Sequence, residues 1–284
     1  MKRSFKTHLT FVIVVLLGLT SSLYAENKSV IETAVGPIET EIGVPTPDAA
    51  QKLFDEMDLR NAVTAYIWGV PAVGRVTFHR AWEEVYGVED GEFIILDTTA
   101  DRRGPMTSNP FATYVIAVAN LSETGPLILE DPKGNTEGII SDAWWRPISA
   151  IGNTGPFKGA GGKLLILGPE HEDPKEDGYT VIRSTSNHLF LGTRFLDLDK
   201  EKAVRELGPQ LKAYPFRDKK NPPKRDIIKG NSREWVQSPP SGFEYFELLA
   251  RVLRDEPVAE RDRFFMAILD TLGIKHGQDF NPTP

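Results

Sequence analysis

The chain is built around six short β-rich runs: Phe93–Asp97 (FIILD), Thr113–Ala119 (TYVIAVA), Leu127–Glu130 (LILE), Lys163–Leu167 (KLLIL), Tyr179–Arg183 (YTVIR) and Leu189–Phe195 (LFLGTRF). Turn-forming sequences such as Glu123-Thr124-Gly125-Pro126 and Glu176-Asp177-Gly178 separate them. Most of the intervals contain no clear helix-length segment, which a parallel connection would need. The sequence therefore predicts a central antiparallel β-sheet or sandwich rather than a doubly wound parallel sheet.

Helical patterns flank this β-rich region on both sides. Thr46 and Pro47 have the residue types of a helix start, and apolar residues recur at helical spacing from there to about Val70. Further helices are predicted at Arg75–Tyr86, at Lys200–Leu207 after a cap by Asp199, after a capping box that begins at Ser241, and around Phe264–Leu272. The fold class is therefore α+β, with N-terminal and C-terminal helices.

The first 25 residues have the pattern of a secretory signal peptide. A basic start is followed by an apolar run, Leu9–Leu19, and by small residues up to Ala25. That run is shorter than the ~20 residues that cross a bilayer, although an uncleaved N-terminal anchor is the alternative. We predict export to the periplasm or secretion, with no membrane span after cleavage.

Composition excludes several classes of function. The chain carries 33 basic and 40 acidic residues, and its acidic surface would repel nucleic acid. It contains no cysteine, so disulfides, thiolate catalysis and cysteine zinc sites are impossible. No histidine lies in a His-x-x-x-His or His-Glu-x-x-His pattern, and we predict neither a metal nor a cofactor.

The rest of the chain is expected to divide into four parts. Residues 26–45 are predicted to form an extended tail, and residues 46–213 the α+β core. Residues 214–240 contain five prolines and are predicted to form a strap along the surface. Residues 241–284 hold the C-terminal helices.

Several motifs occur in a specific order along the chain. They are Thr107-Ser108-Asn109 with Tyr114, LSETGPLIL at 121–129, WWRP at 144–147, GNTGP at 152–156, KGAGGKLLILGP at 158–169, DGYTVIRS at 177–184, EPV at 256–258 and LGIK at 272–275. Together they resemble the bacterial family known as domain of unknown function 1254, over about residue 33 to the last residue. The resemblance implies a mixed α+β protein rich in antiparallel sheet, and it implies no settled activity.

Members of that family often carry a second domain, numbered 1214, after a connection similar to the end of this sequence. The resemblance therefore implies that the chain corresponds to the N-terminal half of a two-domain architecture. An apolar surface that the second domain normally covers would then be available for self-association or for a partner.

Six residues are candidates for a ligand site. Trp144 and Trp145 are adjacent, and on a strand their side chains would point to opposite faces, one into the core and one into a cleft. In the family pattern Asn109, Tyr114, Arg183 and Arg194 lie on strands or at strand ends, where their polar groups could converge. The alternatives are that both tryptophans are core residues and that the arginines pair with surface acids.

We expect the protein to bind a small or glycan-like ligand in an aromatic-lined cleft without catalysis. One alternative is a periplasmic hydrolase-type enzyme that uses polar residues among Asn109, Tyr114, Arg183 and His188, although the sequence lacks a Gly-x-Ser-x-Gly elbow. Another is a structural or assembly subunit.

Overall fold

A computed structural model describes residues 28–96, 104, 111–230 and 233–282. The predicted signal peptide and Asn109 lie outside these residues. The chain divides into two compact units, residues 1–62 and residues 63–284.

The first unit contains a small antiparallel sheet in the order β1-β2-β3. Its strands are β1 (Lys28–Thr33), β2 (Gly36–Glu41) and β3 (Val44–Pro45). The first two strands pair with one another through a turn at Ala34 and Val35. The helix α1 then begins, and the Thr46 hydroxyl accepts a hydrogen bond from the amide of Ala49, which is the predicted cap.

Helix α1 runs without interruption over Pro47–Arg80 and continues as a π-helical turn, Ala81–Tyr86. The sequence predicted two helices here, and this was wrong. Pro71 lacks an amide proton and normally ends a helix. In the second unit the turns on either side of it bury Ala65, Ala72, Val73 and Val76 against C-terminal helices, and this packing stabilises the continuous helix.

The second unit is centred on two packed sheets. The six-stranded sheet has the order β13-β4-β5-β11-β7-β8, and the four-stranded sheet has the order β10-β9-β6-β12. The strands are β4 (Ile94–Leu96), β5 (Thr113–Asn120), β6 (Leu127–Asp131), β7 (Thr136–Ser141), β8 (Pro147–Gly152), β9 (Gly162–Leu167), β10 (Thr180–Arg183), β11 (His188–Phe195), β12 (Lys212–Pro215) and β13 (Ile228–Lys229). Apolar side chains of both sheets form one buried cluster between them, so the predicted sandwich is confirmed.

Pairing within the sandwich is mostly antiparallel. Only β9 with β10 and β4 with β13 pair in parallel among the strands that the structure describes. The short helix α2 (Leu121–Thr124) follows β5, and α3 (Lys200–Leu207) follows β11 with the predicted cap by Asp199.

Two C-terminal helices, α4 (Phe243–Asp255) and α5 (Arg263–Thr271), pack on the second half of α1. The capping box predicted at Ser241 is wrong, because Gly242 occupies the cap position and no side chain bonds there. Within the described ranges, no helix has the length and apolar character that a membrane span requires.

Candidate functional site

The outer face of the six-stranded sheet carries a cleft of about 580 Å³. Strands β4, β5, β11, β7 and β8 form its floor, and residues from α1, from the turn before β8 and from the 214–240 segment complete it. Most of the side chains that line it are apolar: Phe78, Leu96, Ile116, Ile139, Trp145, Pro147, Ala150 and Phe190. A cleft of this size and lining is typical of a small-molecule site.

Gly192 keeps the floor of this cleft open. It lies opposite Ile116 on β5 and opposite Ile139 on β7. A Cβ atom at this position would lie 2.3 Å from Cε1 of Phe190. Any larger residue would therefore move the Phe190 ring, which is one wall of the cleft.

A row of polar residues crosses three strands at one end of the cleft. Arg194 on β11 lies directly opposite Tyr114 on β5 and Glu137 on β7, so the three side chains share one face. The Thr154 hydroxyl donates a hydrogen bond to Glu137. Arg194 is half-buried, and no other residue in the described ranges pairs with its guanidinium. An unpaired cation beside apolar walls can bind an anionic or polar group of a ligand.

Asp142 fixes the turn that brings Trp145 into the cleft. Its Oδ1 accepts hydrogen bonds from the amides of Trp144 at 2.9 Å and Arg146 at 2.8 Å, and its Oδ2 lies 2.6 Å from Nε of Arg146. Burial raises the pKa of Asp142 to about 6, against the hydrogen bond from Trp144. Trp145 adopts a left-handed φ of 59°, which is unusual for a bulky residue and is typical of functional sites.

The two tryptophans lie in this turn, so the prediction that they occupy a strand is wrong. They nevertheless point in different directions. The ring centroid of Trp145 is 4.9 Å from that of Phe190 and 5.6 Å from that of Phe78. Trp144 instead packs against Trp68, with centroids 5.8 Å apart.

Trp144 lines a second, more polar cleft of about 640 Å³, together with Arg146, Arg183 and residues of the segment after α4. Arg183 is exposed and donates a hydrogen bond to the carbonyl of His171, 3.1 Å away. The structure thus separates the predicted residues into two groups. Tyr114, Trp145 and Arg194 meet in the first cleft, while Trp144 and Arg183 meet in the second.

Sequence reasoning missed Arg75, which is 1% exposed. Its guanidinium carbon lies 5.5 Å from the ring centroid of Trp145 and 5.4 Å from that of Phe190. Burial lowers its pKa to about 9, against the attraction of Glu256, Asp142 and Asp90. The group is therefore still a cation at neutral pH. A sequence feature that could have indicated the burial of Arg75 is its helical spacing from Ala72 and Phe78, which places all three near one face of α1.

The histidines do not form a hydrolase site within the described residues. His188 Nδ1 lies 2.7 Å from Oε1 of Glu256. The Ser184 and Ser186 hydroxyls, however, donate to backbone carbonyls of Ser186 and His188. No serine in this part of the chain therefore has its hydroxyl on a histidine nitrogen, as a catalytic pair requires. Among all the residues that the structure describes, no group of three or more histidine and acidic side chains could hold a metal ion.

The architecture is thus that of an α+β sandwich whose outer sheet face carries an aromatic-walled cleft. Residues 91–215 match the model of the family described as "Protein of unknown function (DUF1254)". The resemblance predicted from the sequence is therefore confirmed over these residues.

Solved structures give a second comparison. The chain is similar to the VPA0106 protein from Vibrio parahaemolyticus, with a TM-score of 0.57 and 15% identity over 80% of this chain and 54% of that one. An uncharacterized protein from Burkholderia cenocepacia has a TM-score of 0.31 and 14% identity over 61% of this chain and 51% of that one. The first comparison shows a similar fold and nothing about function. The second similarity is too low to support a conclusion about fold. The chain spans about half the length of these two proteins. No curated protein matches it.

Proposed function

We propose that this protein binds a small, mainly apolar ligand in the cleft on the six-stranded sheet and holds a polar group of that ligand near Arg194. The observation that carries the proposal is the combination of apolar walls with a guanidinium at one end that pairs with no residue in the described part of the chain. Apolar walls supply affinity, and a few polar groups fix orientation. We include export through residues 1–25 in the proposal, to be tested by the mass of the protein purified from its host.

A mainly apolar ligand fits this cleft better than a glycan does. Sugar sites need many hydrogen-bonding groups, whereas the floor between Ile116 and Ile139 is apolar. The serine–histidine form of the hydrolase alternative lacks support, because the Ser184 and Ser186 hydroxyls donate to backbone carbonyls and not to a histidine. Binding without catalysis is therefore the function that the geometry supports best.

Fluorescence titration with N-phenyl-1-naphthylamine, a neutral apolar probe, tests the proposal. The protein is first extracted to remove co-purifying small molecules, which are identified by mass spectrometry. We expect the probe to bind, and Ala150→Trp, which fills the cleft, to weaken binding by about tenfold or more. Ala160 lies in an exposed turn outside the cleft, so Ala160→Trp adds the same side chain as a matched control.

Two results would overturn this function. One is the absence of probe binding to the extracted protein. The other is equal weakening by the two tryptophan substitutions, which would place the probe elsewhere. Co-purifying oligosaccharides that the Ala150→Trp variant releases would favour a glycan ligand instead.

A further inference from the structure

Arg75 lies directly behind the aromatic wall of the cleft. It is one helical turn before Phe78 on α1, and its guanidinium contacts the rings of Trp145 and Phe190. Both rings and Phe78 line the cleft. Arg75 itself is 1% exposed, so these rings separate it from the open volume of the cleft.

All three guanidinium nitrogens of Arg75 lack a hydrogen-bond partner among the residues that the structure describes. Arginine has five N–H donors, and buried donors are nearly always satisfied by the protein, by water or by a ligand. Stacking between two rings offsets part of the lost solvation but supplies no acceptor. The acceptors for the Arg75 donors must therefore come from outside the described residues.

The acids that surround Arg75 are already engaged with other donors. Asp142 accepts from the amides of Trp144 and Arg146 and from the Arg146 side chain. Glu256 accepts from the amides of Asn187 and His188 and contacts His188 Nδ1. These carboxylates attract Arg75 from a distance, and within the described ranges neither accepts a hydrogen bond from its guanidinium.

Trp145 is the part of the wall best placed to move. Its backbone is held at a φ of 59°, in a turn rather than in a strand. Because Asp142 holds this turn, the movement required is a rotation of the Trp145 side chain and not a change of its backbone. A shift of its ring would connect the guanidinium to the cleft.

We propose that Arg75 is the inner anion-recognising group of the cleft, and that the ligand is an amphipathic anion with an apolar body and one carboxylate-type group. This inference rests on the proposed function for the cleft and its apolar ligand, and it assigns the anionic group of that ligand to Arg75 rather than to Arg194. Displacement of Trp145 lets the carboxylate form a two-point contact with the guanidinium, while the apolar body stays on the floor formed by Ile116, Gly192 and Ile139.

Arg194 is the other cation that could recognise the anionic group. The salt dependence of anion binding distinguishes the two arginines. Arg194 is half-exposed at the end of the cleft, where mobile ions screen its charge. Arg75 is fully buried, so its contact with an anion should depend little on ionic strength. The preference for an anion should therefore persist in high salt if Arg75 provides it.

The test uses displacement of bound N-phenyl-1-naphthylamine by decanoate and by 1-decanol, which share the same chain and differ in charge. We expect decanoate to displace the probe at a concentration about tenfold lower than that of decanol, at low and at high salt. Arg75→Met should abolish or invert this preference, with both displacement curves measured against that variant's own affinity for the probe. Arg194→Met should preserve most of it.

Probe binding in the unmodified protein separates failure of this inference from failure of the proposed function. If the probe binds but decanol displaces it as well as decanoate does, the role of Arg75 is wrong and the apolar cleft stands. The role is equally wrong if Arg75→Met keeps the preference, or if Arg194→Met removes it. If Arg75→Met fails to fold, Arg75→Lys tests the role of Arg75. Lysine keeps the charge but cannot form the two-point contact, so the preference for decanoate over decanol should fall about fivefold.

Discussion

Single buried residues carry charge in this protein, and the charge of His79 depends on pH. Its Nε2 lies 3.2 Å from Oδ1 of Asp90 and 3.3 Å from Oε1 of Glu83. Burial disfavours the charged form, but the hydrogen bonds with these two acids outweigh burial and raise the pKa of His79 to about 8. The native protein therefore binds this proton more tightly than the unfolded chain does.

This shift predicts how stability changes with pH. The contribution of His79 is complete below about pH 6.5, the pKa of an unfolded histidine, and is lost as pH rises through about 8. We expect the free energy of unfolding, measured with urea, to fall by about 1.5 kcal/mol between about pH 6 and pH 8.5. His79→Gln should remove this decrease.

His171 provides the matched control. Burial lowers the pKa of His171, so the native protein binds this proton more weakly than the unfolded chain does, and His171 cannot cause a decrease in stability as pH rises. His171→Gln should therefore keep the decrease. A His79→Gln variant with the original pH dependence would show that another group is responsible.

Glu256 is the buried residue that joins the segment after α4 to the start of β11. It is 0% exposed, and it accepts hydrogen bonds from the amides of Asn187 at 2.9 Å and His188 at 2.7 Å. Glu256→Ala would leave these donors unsatisfied and should lower the free energy of unfolding by about 3 kcal/mol in a urea titration.

An exposed carboxylate on α4 gives the comparison for Glu256. Glu244 lies 2.6 Å from Nη1 of Arg80 near the surface, and its loss should cost less than about 1 kcal/mol. Equal costs for Glu256→Ala and Glu244→Ala would contradict the structural role of Glu256.

Strands made of continuous apolar runs could be predicted from the sequence, and strands that mix apolar with polar residues could not. The sequence predicted β5 as Thr113–Ala119 and β9 as Lys163–Leu167, each within one residue of the structure at either end. It missed β7 (TEGIIS) and β8 (PISAIG), whose glycines, proline and polar residues weaken the strand pattern. These two strands form because β11 offers β7 an edge to pair with, and local sequence does not contain that information.

The missed pair also depends on a glycine. Gly152 ends β8 at a φ of 74°, and a Cβ atom there would lie 2.3 Å from the backbone oxygen of Thr136. Gly152→Ala must therefore move one strand as well as strain the backbone, and it should cost about 3 kcal/mol or more in urea unfolding.

Gly87 separates these two effects. It also has a positive φ, 65°, but nothing lies within 4 Å of its added Cβ atom. Gly87→Ala should cost only the backbone strain, about 1 kcal/mol. If Gly152→Ala and Gly87→Ala lower the free energy of unfolding equally, the close approach of β7 and β8 does not explain the need for glycine at position 152.

For the molecule as a whole, the fold was easier to predict than the site. Tyr114, Trp145 and Arg194 were predicted individually. Tyr114 and Arg194 meet through the register of β5 and β11, and the turn held by Asp142 brings Trp145 to the same cleft. Arg75 and Glu137 carried no motif, because charged residues on a helix or strand usually face solvent. Only the packing of α1 on the sheet makes Arg75 a buried cation.

Ligand binding should stabilise the whole second unit, since a ligand that binds only the native state favours it by mass action. With free decanoate at 100 times its dissociation constant, we expect the free energy of unfolding to rise by about 2.7 kcal/mol, measured by thermal or urea unfolding. Ala150→Trp, which fills the cleft, should lose this gain at the same decanoate concentration, and Ala160→Trp should keep it. Equal stabilisation of the two variants would mean that decanoate acts at other surfaces, whereas destabilisation of all forms would mean that it binds the unfolded chain as a detergent does.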